Sequence, residues 1–103
     1  MAVVSFLALA YSLMPNERFE KIGTYSVTST EGYSVELEHQ RGVVYRDAER
    51  TVVIGHSWLG RPSGISLHPS TLRAIGLDAA VVDAITARTA NALQYLGYYV
   101  EVF

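Results

Sequence analysis

The 103-residue sequence contains no cysteine. Without cysteine the protein has no disulfide bonds, thiol nucleophiles or cysteine metal ligands, which is consistent with a reducing compartment. Charged residues are also scarce, at 17% of the chain, and the formal net charge of −2 at pH 7 gives no basic surface for nucleic acid. We therefore expect a cytoplasmic protein that has no nucleic-acid partner.

The N-terminus lacks both the length of a membrane span and the charge of a secretory signal. Residues 2–14 are apolar, but a transmembrane helix needs about 20 apolar residues. No Lys or Arg precedes Arg18, although residues 8–10, Ala-Leu-Ala, resemble a small-residue cleavage site. Three interpretations stay open for residues 1–14: a buried first strand or helix, a cleaved signal, or an accessory segment that needs a partner surface.

The central stretch, residues 42–55, reads as a β-hairpin with a polar tip. Half of all residues are hydrophobic, which indicates one packed domain over residues 1–103, and Val, Ile, Thr and Tyr fill the arms of the hairpin. If Asp47 lies opposite Arg50, three apolar pairs follow: Tyr45 with Val52, Val44 with Val53, and Val43 with Ile54. Both faces are then apolar near the base, so we expect this hairpin in the middle of a sheet.

Further strands are predicted on both sides of the hairpin. Residues 23–30 alternate and are rich in Thr, Tyr and Val. Residues 33–39 place Tyr33, Val35 and Leu37 on one buried face. Residues 56–64 contain two Gly and one Pro and predict a loop, which is followed by a short extended piece at residues 65–67.

The C-terminal third predicts two helices and a last strand. A short helix begins at residues 69–71 and stops at Gly76. A long helix covers residues 79–96, with Asp78 as its N-cap or as an acid of its first turn, and its apolar side chains repeat every three or four positions. Residues 98–103 read as a strand. The predicted fold is α+β: an antiparallel β-meander of about five or six strands packed against a short and a long C-terminal helix, ending in a C-terminal strand.

The sequence offers no convincing catalytic or metal-binding pattern. The histidines at positions 39, 56 and 68 lack the spacing of a metal site. Ser57 is adjacent to His56, but neighbouring side chains of a strand point to opposite faces, and no Gly-x-Ser-x-Gly elbow is present. Residues 60–64 lack the Lys of a phosphate-binding loop. We therefore expect no catalytic residue, no metal and no cofactor.

Trp58 and Arg61 form the combination most typical of an interaction surface, because both residue types are enriched in binding hot spots. The alternative is that Trp58 covers the edge of the core and keeps its indole N–H in water. Glu36 and Glu38, on one face of one strand, are interpreted as a solvated outer face.

Residues 22–103 resemble a family of small bacterial immunity proteins from polymorphic toxin systems. The similar features are the strand GVVYRD with its charged tip, the strand RTVVIG, the Gly/Pro loop WLGRPSG, and the ending of a long helix, Gly and YYVEVF. The resemblance covers about four-fifths of the chain.

The resemblance implies a non-enzymatic inhibitor that binds a cognate toxin protein and neutralises it by occlusion. The expected contacts are the hairpin tip, the loop and, for a basic toxin, the face of Glu36 and Glu38. The partner-binding residues are Arg46, Asp47, Glu49 and Arg50 in the tip, and Trp58 and Arg61 in the loop. Two other functions stay open: a self-associating accessory or scaffold domain that dimerises through residues 1–14, and a small-molecule binding or enzymatic domain with a pocket around His56, Trp58 and His68.

Overall fold

The computed structural model describes residues 4–5, 16–60 and 63–103. Within these residues the chain forms eight strands and two helices. The elements are β1 (Val4–Ser5), β2 (Phe19–Gly23), β3 (Ser26–Ser29), β4 (Tyr33–Glu38), β5 (Gly42–Asp47), β6 (Thr51–Trp58), β7 (Gly64–His68), α1 (Ser70–Ala74), α2 (Ala79–Tyr95) and β8 (Tyr99–Val102).

All eight strands belong to one sheet, in the order β1-β8-β7-β6-β5-β4-β3-β2. Strands β2 to β7 form an antiparallel meander in chain order. Strand β8 pairs parallel to β7, because α1 and α2 carry the chain back to the end at which β7 began. The predicted α+β class, the meander and the return of the last strand to the sheet are confirmed.

The predicted count of five or six strands is too low, for two reasons. The segment 23–30 is not one strand, because the chain turns at residues 24–25 and β2 precedes the turn. Strand β2 is mostly exposed at the edge of the meander, so it carries no apolar alternation. Strand β1 adds residues 4–5, antiparallel to β8, whereas residues 6–14 of the apolar N-terminal segment lie outside the described residues.

The predicted loop at residues 56–64 is also wrong in its first third. Strand β6 continues through Trp58, because β7 pairs with it over residues 55–58. The Gly and Pro that predicted a loop lie in residues 60–64, beyond the end of β6, and so they do not shorten that strand.

The register predicted for the central hairpin is confirmed. Tyr45 pairs with Val52, and Val43 pairs with Ile54. The hairpin lies between β4 and β7, as expected from its apolar base. Its two faces differ more than the sequence indicated, because Val53 is 41% exposed while Ile54 is fully buried.

One core lies between the sheet and the helices. The predicted stripe of α2 is buried there, including Val82, Ile85 and Leu93, and α1 adds the fully buried Leu72. The side chain of Asp78 accepts a hydrogen bond from the Val81 amide at 3.0 Å, as its N-cap position predicts.

Tyr45 connects the tip of the hairpin to α2. Its buried hydroxyl accepts a hydrogen bond from Arg88 Nη1 and donates one to Asp47 Oδ2, each at 2.8 Å. Asp47 Oδ1 in turn accepts the amides of Glu49 and Arg50 at 2.8 and 3.0 Å. Burial raises the pKa of Asp47, but these hydrogen bonds outweigh it and hold the pKa below its ordinary value.

We expect Tyr45→Phe to lower the free energy of unfolding by about 1–3 kcal/mol, because it leaves the Arg88 guanidinium and Asp47 Oδ2 without their shared partner. Urea denaturation measures the loss. The matched control is Tyr95→Phe, at a ring that is 51% exposed, where we expect a change below about 0.5 kcal/mol. Equal effects of the two substitutions would contradict the role of the Tyr45 hydroxyl.

Candidate functional site

A concavity of about 490 Å³ opens where the chain leaves α2. Four polar residues, Glu38, His39, Gln40 and Arg41, line its rim. We call this concavity the aromatic hollow and define it by the side chains of its floor and walls, which are Tyr25, Leu37, His56, Trp58 and Tyr98.

Strand alternation places two of these side chains in the hollow. In β6, Val52, Ile54, His56 and Trp58 point to the same face of the sheet. The first two are buried in the core, whereas Trp58 is 59% exposed. The hollow is therefore a continuation of the core face to a region that the helices do not cover.

The end of α2 positions the Tyr98 wall. Gly97 has a φ of +103°, and its amide donates to the Gln94 carbonyl while the Tyr98 amide donates to the Leu93 carbonyl. This double hydrogen bond is the Schellman motif, in which glycine adopts the left-handed conformation and reverses the chain. The reversal places the centroid of the Tyr98 ring 6.2 Å from that of the Trp58 ring, at an interplanar angle of 49°.

His56 forms an uncharged part of the floor. Its ring meets Trp58 edge-on at 5.7 Å and lies against Gly42, where a Cβ atom would be only 2.8 Å from His56 Cε1. Burial lowers the pKa of His56 below its ordinary 6.5, and the nearby charge of His68 lowers it further. The imidazole is therefore neutral at pH 7.

The charges at the rim cancel each other. Arg41 binds the Glu38 carboxylate through two hydrogen bonds of 2.8 and 2.7 Å, which are the main reason why the pKa of Glu38 is lowered. Arg46 also contacts Glu38, at 3.2 Å, and Glu36, at 3.4 Å. The face of Glu36 and Glu38 that was predicted from the sequence is therefore paired with arginine. The β4–β5 register places Arg46 opposite Ser34, on the same face as both acids, and its long side chain reaches them.

The hairpin tip and the Trp58 region lie at different places on the sheet. Gly42 contacts the hollow, and Asp47 is five residues further along β5, about 17 Å away at the rise of a strand. At the tip, Asp47 closes the turn and Arg50 contacts Glu49 at 3.1 Å. Arg61, the other predicted loop residue, lies outside the described residues.

Three residues of the hollow were not predicted as site residues from the sequence, namely Tyr25, Leu37 and Tyr98. Leu37 was assigned to the buried face of β4, and Tyr98 to a strand face. A usable signal existed for Tyr98, because it directly follows the glycine that ends a long helix. Tyr25 lies in the turn that the sequence did not reveal.

Comparisons with protein-family models, curated proteins and solved structures found no match to this chain. In the part of the chain that the structure describes, no helix is long and apolar enough to cross a membrane. No group of three or more acidic, histidine or cysteine residues there could hold a metal ion. The function must therefore be argued from the residues of the site.

Two glycine substitutions test the contact between His56 and β5. Gly42 and Gly32 have φ values of +91° and +86°, but only an added Cβ at Gly42 meets a neighbour. We expect Gly42→Ala to lower the free energy of unfolding by about 1–3 kcal/mol more than Gly32→Ala, because it displaces the imidazole. The excess should shrink in a His56→Ala background. Equal losses for the two glycines would contradict the contact.

The lowered pKa of His56 predicts a pH-dependent stability. Below pH 6.5 the unfolded chain binds a proton at this position more readily than the folded protein does, so stability falls until the folded pKa is passed. Well above pH 6.5 the imidazole is neutral in both states and the contribution is constant. Denaturation curves between about pH 5 and pH 7.5 should show a smaller acid loss for His56→Gln than for the unmodified protein. Identical slopes would exclude the effect.

Proposed function

We propose that the protein is a non-catalytic immunity protein that binds a cognate toxin protein and neutralises it by occlusion, with the aromatic hollow as its main contact. One observation carries the choice of surface: Trp58 is 59% exposed at the wall of a concavity of about 490 Å³. The resemblance of residues 22–103 to immunity proteins supplies the class of partner.

The composition of the hollow supports a protein partner. Tryptophan, tyrosine and arginine are the residues most enriched in binding hot spots, and Trp58, Tyr98 and Arg41 all line the hollow. An apolar centre with a polar rim is also the usual anatomy of a protein interface. The floor is neutral and the rim charges are paired, so the occupant is an apolar or aromatic side chain of the toxin.

The hollow is smaller than a complete interface. A stable complex buries about 800 Å² on each partner, so neighbouring surface must contribute. The hairpin tip, with Arg46, Asp47, Glu49 and Arg50, and the loop with Arg61 stay in the proposal as secondary contacts. Arg46 and Asp47 already have partners within the protein, and they would contact the toxin without giving these up.

The test is to co-express the protein with the product of the adjacent upstream gene, and to measure complex formation and rescue of growth. We expect both. Trp58→Ala should then weaken the complex about 30-fold or more, the effect of losing a hot spot of about 2 kcal/mol. Tyr95→Ala is the control: an aromatic residue of similar exposure outside the hollow, which should change the affinity less than about threefold.

The outcomes separate the class of function from the choice of surface. No complex and no rescue of growth would sink the immunity proposal. If Trp58→Ala leaves the affinity of the complex unchanged, the inhibitor function stands and the main contact is assigned to the hairpin tip instead. Light scattering of the free protein tests self-association through residues 1–14. We expect a monomer. A full-length dimer that becomes a monomer when the chain begins at Met14 would instead favour the scaffold function.

A further inference from the structure

A serine–histidine pair lies on the face of the sheet opposite to the hollow. Ser57 Oγ and His68 Nε2 are 2.7 Å apart. Ser57 cannot pair with its neighbour His56, because the His56 side chain points to the other face of the sheet. The partner of Ser57 is instead on β7, eleven residues away in sequence.

The sheet register explains how the two side chains meet. Ser57 pairs with Ser66, and His68 pairs with Gly55, so Ser57 and His68 are diagonal neighbours on adjacent strands. Long side chains reach across such a diagonal. Gly55, opposite His68, has no side chain, and the space that a Cβ would take there is filled by Thr71 of α1.

The surroundings leave Ser57 accessible and hold the histidine in place. Ser57 is exposed, whereas Ser66 is buried. The His68 ring is half-buried and meets the ring of Phe103 at 6.0 Å, with an interplanar angle of 74°. The imidazole is thus fixed between Phe103 and the Ser57 hydroxyl, and a reagent can approach Ser57 from solvent.

We propose that Ser57 is a nucleophile activated by His68, and that it accepts the acyl group of small activated esters. A serine hydroxyl is a weak nucleophile unless a base lies within about 2.6–3.2 Å, and His68 Nε2 meets this condition. This acyl transfer is separate from the proposed neutralisation of the toxin, which acts by occlusion and itself needs no catalysis.

The reaction is an acyl transfer that needs no further reactant. Ser57 Oγ attacks the ester carbonyl carbon and forms a new C–O bond, while its proton moves to His68 Nε2. The bond between the carbonyl carbon and the leaving oxygen then breaks, and the imidazolium returns the proton to the leaving alkoxide or phenolate. The product is an acyl-serine ester.

The test uses a fluorophosphonate probe, which reacts with activated serines in the same way, with fluoride as the leaving group. We expect one label per chain by intact mass, mapped to Ser57 in a peptide digest. Ser57→Ala should abolish the label. His68→Gln should slow labelling by at least about 100-fold, the lower end of general-base effects.

Controls separate activation from exposure and from misfolding. Ser70→Ala removes another exposed serine and should leave the rate unchanged. Circular dichroism checks that each variant is folded, and His68→Asn replaces His68→Gln if the latter is not. The proposal is overturned if no label forms, if label spreads over several serines, or if a folded His68 variant labels Ser57 as fast as the unmodified protein.

Discussion

The register of the β5–β6 hairpin is the constraint on which the rest of the structure depends. A slip of one residue would move every side chain of the slipped strand to the opposite face of the sheet. The observed register turns Val43, Tyr45, Val52 and Ile54 into the core. The same alternation, continued along β6, directs His56 and Trp58 to the hollow and Ser57 to the opposite face. One hairpin therefore sets the core, the hollow and the serine–histidine pair.

The second determinant is where the helical layer stops. Gly97 ends α2 and reverses the chain, so that β8 can pair parallel to β7. A longer helix would cover more of the face that carries Trp58. The hollow exists because α2 ends close to the point where β6 continues beyond the core. Apolar side chains there stay in contact with water, because no helix covers them.

Charge has a limited part in this protein. The acids of β4 are paired with Arg41 and Arg46, and exposed ion pairs of this kind contribute little to stability. Their main effect is to remove free charge from the rim of the hollow. Recognition through this surface would therefore depend on shape and aromatic contact more than on electrostatic steering. The small net charge of −2 also gives little steering.

The sequence by itself determined the local elements with strong periodicity or clear end signals. The alternation of Tyr33, Val35 and Leu37, the pairing of Tyr45 with Val52, the Asp78 cap and the glycine after α2 all depend on residues close together in the chain, and each was predictable. Strand β2 was not, because an exposed edge strand needs no apolar pattern.

Only the tertiary structure decided which distant side chains meet. Arg88 reaches Tyr45 from 43 residues away, Tyr98 closes a hollow begun by Trp58, and His68 meets Ser57 on the adjacent strand. Such contacts are set by strand order, register and the end of a helix, and local patterns carry no record of them. The sequence therefore identified Trp58 as a candidate, whereas its neutral, aromatic surroundings followed from the packing of the whole sheet.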